Sequence, residues 1–266
     1  MRLGGWIGSF LLGMGSVAPL AEAAPGDAPT QPQAEAKPPP SWCAPELEAL
    51  AGEVCHFSPK TKSGDPPTTL VIYLHGVIKP GTEWQWTQER AMVRQAKVHG
   101  LTALVPRGRR GIGPKGMRDW WTWPTSTRAQ GEVEDELVAE WMNAKALLEA
   151  RHGRPFEKTY VFGFSNGAYY GAALALRGRL EVDGYALFAG GGGTYLKRHA
   201  RGVSDPPPIY VGYGKKDRTA SHDSYQLGMM LRSLGWPYKL VGRRRVGHSM
   251  TDAQVSEALA FLGQKR

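Results

Sequence analysis

The chain has almost no cysteine: two residues in 266, Cys43 and Cys55. That excludes a disulfide-dense scaffold, and it excludes a zinc site made of cysteine alone, because two thiolates do not fill a tetrahedral shell. Nowhere past the amino terminus is there an apolar run of membrane-span length, so stable membrane insertion is not expected. His, Asp and Glu do not cluster at metal-ligand spacing, so neither a metal nor another cofactor is expected. Internal repeats are absent. Long basic runs are absent too, despite a formal charge of +9; the densest, Arg243-Arg244-Arg245, is three residues long. A charge of this size suits an anionic partner, whether nucleic acid, lipid surface or acidic polymer, and it equally suits a soluble basic protein. With no nucleic-acid-binding motif beside the basic run, the second reading is adopted and no nucleic-acid partner is expected.

What the chain does have begins at its amino terminus. Arg2 supplies a charge, Trp6 to Leu12 an apolar stretch, and Ala21-Glu22-Ala23 a small-residue cleavage site. This pattern predicts a secretory signal peptide over residues 1–23 and a secreted or periplasmic protein. The Pro/Ala-rich residues 24–40, "APGDAPTQPQAEAKPPP", hold almost no large apolar side chain. They bury too little surface to offset ordering and predict a disordered linker. One folded domain is expected over 41–266, and its 41 % apolar content suffices for a packed core. Export places Cys43 and Cys55 in an oxidising compartment, where a disulfide is expected. The same compartment argues against a catalytic cysteine. The intervening "APELEALAGEV" predicts a short helix stapled by the bridge, a closure worth roughly 3 kcal/mol in the chain-entropy view.

Beyond the cysteines, short apolar runs alternate with longer amphipathic ones. "LVIYLHG", "LTALVPRG", "KTYVFGF", "VDGYALFAG", "PPIYVGYG" and "PYKLVGRRR" predict strands. The continuous β-branched character of the first is that of a strand covered on both faces. Between them, "EWQWTQERAMVRQAKVHG" predicts a helix stopped by Gly100, and "EVEDELVAEWMNAKALLEARHG" one that starts acidic and ends basic. Helices are also predicted for "NGAYYGAALAL", "SHDSYQLGMMLRSLG" and "TDAQVSEALAFLGQ", the last capped by Thr251 or Asp252. The expectation is an α/β three-layer sandwich around a mostly parallel sheet of about six strands with right-handed crossovers.

In such a fold reactive groups gather at the carboxyl ends of strands. Those ends carry His75-Gly76-Val77, Ser165, the run Gly214 to Asp217, and His248. Ser165 sits in Gly163-Phe164-Ser165-Asn166-Gly167, after a strand and before a helix. This G-x-S-x-G stretch and the chain order Ser, Asp, His resemble the α/β-hydrolase superfamily from Leu70 to the carboxyl terminus. The likeness runs toward secreted esterases of the polyhydroxybutyrate-depolymerase-like and feruloyl-esterase-like kind, and toward the carboxylesterase/phospholipase-like group. The resemblance implies Ser165 as nucleophile, His248 as base and Asp217 as the group orienting the imidazole. It also implies an oxyanion hole from the N–H groups of Asn166 and Val77. Here the chain departs from many relatives, with "HGVIKPGTEW" where they have a small or Gly-rich run.

Each assignment has a competitor. G-x-S-x-G arises by chance in a chain with 34 glycines. Asp223 competes with Asp217 but falls inside a predicted helix. His75 competes with His248 but precedes the serine and suits the oxyanion loop, while His152, His199 and His222 lack partners. Trp120, Trp121 and Trp123 lie on a loop with Arg107, Arg109, Arg110 and Arg118 that overhangs the strand ends. They are assigned to a substrate-binding wall, with packing beneath the loop as the alternative. The glycines at 190–193 adjoin the same edge, and no insertion is long enough for a large lid. The expected activity is hydrolysis of a small-molecule or polymeric carboxylic ester through an acyl-enzyme. A peptidase or amidase on the same triad and a non-catalytic envelope-binding protein are the other classes.

Overall fold

The computed structural model describes residues 41–61, 64–192 and 196–264. The expected signal peptide and linker lie outside the described residues, as does Gly193. Eight strands form one sheet: β1 (Glu48–Ala49), β2 (Cys55–Phe57), β3 (Thr69–Leu74), β4 (Thr102–Val105), β5 (Lys158–Phe164), β6 (Gly184–Phe188), β7 (Ile209–Gly214) and β8 (Tyr238–Arg243). Their order is β1-β2-β4-β3-β5-β6-β7-β8. The strands from β3 onward pair in parallel and are the six expected from sequence. β1 and β2 add an antiparallel edge, with Cys55 opposite Val105.

That edge corrects the expected helix between the cysteines. Cys43 and Cys55 are bridged with their Cα atoms 5.5 Å apart across a separation of 12 residues. A helix of that span would hold its ends about 18 Å apart, so bridge and helix exclude one another. The segment instead makes β1, a 3-10 turn at Ala51–Glu53 and β2.

The helices are α1 (Trp84–His99), α2 (Thr127–His152), α3 (Asn166–Leu176), α4 (Lys197–Ala200), α5 (Ser221–Leu234) and α6 (Asp252–Leu262). α1 stops at Gly100, whose φ of 62° is left-handed. α2 starts earlier than the acidic run suggested, because Ser126 Oγ accepts the Ala129 N–H at 3.2 Å and caps it there. Thr251 caps α6 in a reciprocal box with Gln254. Among the described residues no helix is long and apolar enough to cross a membrane.

Strand alternation sorts the core into two layers. Leu70, Ile72 and Leu74 of β3 pack with Leu137 and Trp141 of α2, Tyr170 of α3 and Leu227 of α5. Val71 and Tyr73 point the other way, toward Met92 and Ala96 of α1 and Val255 and Ala258 of α6. Each such aliphatic side chain contributes about 1.5–3 kcal/mol by leaving water. Helices therefore cover both faces, as the three-layer expectation required. α3 packs tightly on the sheet: a Cβ on Gly167 would strike the Leu74 carbonyl, and one on Gly171 the Leu187 side chain.

Candidate active site

Ser165 occupies the sharp turn between β5 and α3 at φ 52°, ψ −119°. A non-glycine residue at positive φ is strained, and the surroundings hold it there. Its N–H donates to Phe188 O at 2.9 Å, and its carbonyl accepts from Ala168 and Tyr169. The flanking glycines are required by space. A Cβ on Gly163 would strike the Gly167 carbonyl, and one on Gly167 would strike the Leu74 carbonyl. On Gly190 it would lie 2.6 Å from Ala168 Cβ and 2.7 Å from the Ser165 carbonyl. The described part of the glycine loop thus turns tightly behind the serine.

β7 and β8 deliver the other two side chains. His248 Nε2 lies 2.9 Å from Ser165 Oγ, and its Nδ1 lies 2.8 Å from Asp217 Oδ2. The imidazole is 38 % exposed while the Asp217 side chain is fully buried. The ring therefore faces incoming molecules and the carboxylate does not. Phe164 packs on the imidazole with centroids 5.1 Å apart. Asp217 is ringed by donors: its Oδ1 accepts from Thr219 N at 2.8 Å, Thr219 Oγ1 at 2.6 Å and Ala220 N at 3.1 Å. Burial pushes its carboxyl up, but the bonds from Thr219, His248 and Ala220 outweigh burial and hold it below the usual carboxylate range. Of the competitors, Asp223 accepts instead from Tyr169 Oη at 2.5 Å. His75 is 1 % exposed and turned inward.

Sequence reasoning missed Thr219. Its hydroxyl donates to Asp217 and also lies 3.1 Å from His248 Nδ1. It links acid and imidazole on the side away from the serine. The signal was available: a hydroxyl two residues after an acid closes a local turn around it.

His75 organises the strand-end loop beside the serine. Its Nε2 accepts the Gly108 N–H at 3.0 Å, which leaves Nδ1 to donate to Gly76 O at 2.5 Å. Burial lowers its pKa to about 4, so the ring is neutral. Gln88 Oε1 takes the Gly76 N–H at 2.9 Å. The next N–H, that of Val77, has no acceptor among the described residues. The Asn166 N–H opens α3, where first-turn N–H groups have no intrahelical acceptor.

Trp123 braces this loop from beneath, which corrects its expected place in a substrate wall, while Trp120 and Trp121 stay partly exposed. Trp123 is fully buried against Trp141 and Tyr170 and has no surface to offer a substrate. Its Nε1 donates to His75 O at 2.8 Å and its N–H to Asn166 Oδ1 at 2.6 Å. Trp121 and Ile78 exchange backbone hydrogen bonds, 3.1 and 2.9 Å. Val77 is thus bracketed by residues that Trp123 and Trp121 fix, and Asn166 is fixed by Trp123 as well. Arg107 lies 4.0 Å over the Trp121 ring and also faces Trp42. Trp120 is partly exposed, with its N–H on Met117 O.

A cavity of about 1220 Å³ lined by Lys158, Asp183, Pro208 and Gln264 lies at the opposite, amino ends of the strands. It does not touch the Ser165 site. Among the described residues no group of three or more His, Cys, Asp and Glu side chains is placed to hold a metal ion.

No protein-family model and no curated protein matches the chain by sequence. Solved structures do match. Esterase PE8 is 19 % identical with a TM-score of 0.58, over 82 % of this chain and 98 % of that one. Acyl-protein thioesterase 2 of Zea mays is 18 % identical with a TM-score of 0.56, over 80 % and 100 %. A Bacillus cereus carboxylesterase is 17 % identical with a TM-score of 0.52, over 79 % and 92 %. At these identities the likeness is one of fold.

Proposed function

We propose, from the premise that this chain has the α/β-hydrolase fold, that it is an exported serine hydrolase of carboxylic esters. The observation that carries the reading is the continuous relay from Asp217 through His248 to Ser165, with contacts of 2.8 and 2.9 Å. A serine hydroxyl is a weak nucleophile until a base takes its proton. In the proposed reaction Ser165 Oγ bonds to the ester carbonyl carbon while His248 Nε2 takes its proton. The carbonyl π pair moves onto oxygen, where the N–H groups of Val77 and Asn166 receive it. Collapse breaks the bond to the alcohol oxygen, which leaves with the proton from His248. Water then gives a proton to His248 as its oxygen bonds to the acyl carbon; collapse breaks the bond to Ser165 Oγ, which takes the proton back from His248, and the carboxylic acid leaves. Asp217, held ionised by its donors, keeps Nδ1 protonated and stabilises the imidazolium.

Ester cleavage is supported by the names of the matched structures, which are esterases and a thioesterase. Export is supported by the amino-terminal charge, apolar stretch and Ala21-Glu22-Ala23, together with the Cys43–Cys55 bridge. The test is Ser165→Ala assayed on a short-chain nitrophenyl ester. Turnover should fall by at least about 1000-fold; retained turnover would refute the assignment.

A further inference from the structure

The loops that carry Asp217 and His248 share a second property. β7 and β8 end side by side, with Gly214 opposite Arg243. Past these ends the loops stay joined: Lys215 N donates to Arg243 O at 2.8 Å and Lys216 N to Val246 O at 3.0 Å. The pair of loops presents Lys215, Lys216, Arg218, Arg244 and Arg245, all exposed. None of them forms an ion pair with a described residue.

Several other cations are neutralised by a carboxylate. Arg109 meets Glu136 and Glu140, Arg177 and Arg179 meet Glu134, and Arg94 meets Asp252. Even within β8, Lys239 and Arg243 share Glu257. Between Gly214 and Thr251 the only carboxylates are Asp217 and Asp223. Asp217 is buried on His248, and Asp223 accepts from Tyr169. The two loops that hold the triad's acid and base therefore carry five exposed cations without an ion-pair partner among the described residues, against two carboxylates. Unpaired like charges repel one another and favour an anion nearby.

We propose that these loops form a cationic rim that selects esters carrying a negative charge, such as a carboxylate, close to the scissile bond. The proposal rests on the hydrolase reading above and names its substrate class. Lys216 and Arg218 flank Asp217 in the chain and Arg245 stands three residues before His248; with a Debye length of about 8 Å at physiological salt, charges so placed act on an anionic group of an ester bound at the site. Several of them acting together through a watery boundary correspond to a preference on the order of tenfold. The preference belongs in KM, because the rim attracts substrate and transition state alike.

The test compares nitrophenyl butyrate with mono-nitrophenyl glutarate, a neutral ester and one ending in a free carboxylate. Both are assayed at about 20 mM and about 500 mM salt, where screening lengths are roughly 20 and 4 Å. The wild-type chain should favour the anionic ester in kcat/KM by about tenfold at low salt, and the preference should collapse at high salt. Lys215→Gln, Lys216→Gln, Arg244→Gln and Arg245→Gln combined should remove the preference at low salt. Lys216→Glu and Arg245→Glu, made singly, should each lower the anionic-to-neutral ratio. A ratio of one or less in the wild type, a ratio indifferent to salt, or a ratio unchanged in the combined variant would overturn the rim. If the neutral ester is turned over and Ser165→Ala stops it, such a result rejects the rim alone. If neither ester is turned over, the hydrolase reading fails and the rim fails with it.

Discussion

Replacing Thr219 by valine keeps the shape of the side chain and removes one oxygen. That oxygen donates to Asp217 Oδ1 at 2.6 Å and sits 3.1 Å from His248 Nδ1. The backbone donors from Thr219 and Ala220 remain, so the carboxylate keeps its seat but loses its shortest partner. A hydrogen bond to a charged group is worth about 1.5–3 kcal/mol. If that energy is lost where the imidazolium forms, kcat/KM falls about 10- to 100-fold, since each 1.36 kcal/mol is tenfold. The Thr219 bond also holds the Asp217 pKa down, so removing it raises that pKa, a shift read by carbon NMR titration of the carboxyl. Thr219→Ser restores the hydroxyl and should recover most of the rate. The assay is kcat/KM on a short-chain nitrophenyl ester across pH for the wild type and both variants. A valine variant within twofold of wild type, with an unmoved Asp217 titration, would refute the positioning argument.

Three further outcomes are expected. Gly167→Ala drives a Cβ into the Leu74 carbonyl, so it should abolish turnover and lower the melting temperature; an active, stable variant would mean the turn has room. Glu89 is buried on α1, with its pKa raised to about 7 and one oxygen taking the Ala44 N–H at 2.6 Å. The native state therefore holds a proton that the unfolded chain has lost, and stability falls as pH rises from about 4.5 to about 7. Glu89→Gln should flatten that fall and raise Tm at pH above 7 more than near pH 5, as thermal melts across pH will show. Replacing Cys43 and Cys55 together by serine opens the bridge and should cost about 2–4 kcal/mol in urea unfolding; an unchanged midpoint would mean the edge strands hold without it.

The parallel strands were legible because each is a short apolar run bounded by turn residues, and burial on both faces leaves that mark. "LVIYL" and "TYVFGF" admit little else. The edge was not legible. "APELEALAGEV" has helical composition, yet its conformation is decided by the bridge between its flanking cysteines and by pairing of β2 with β4, some fifty residues on. Local propensity is weak against such constraints. At the site, Ser165, Asp217 and His248 could be nominated because strand ends converge by topology alone. Trp123 could not be placed, because the same loop position suits an exposed wall or a buried strut. Only its contacts with His75 and Asn166 decide for the strut. Thr219 went unseen because its part depends on a 3.1 Å approach to a histidine 29 residues away.

The central claim is that Ser165 becomes acylated. It is tested most directly by rapid-quench intact mass spectrometry with a slowly deacylating nitrophenyl ester, followed by peptide mapping. The account predicts a gain of one acyl group per chain, located on Ser165 and absent in both Ser165→Ala and His248→Ala. Turnover without any adduct, or an adduct on another residue, would contradict it.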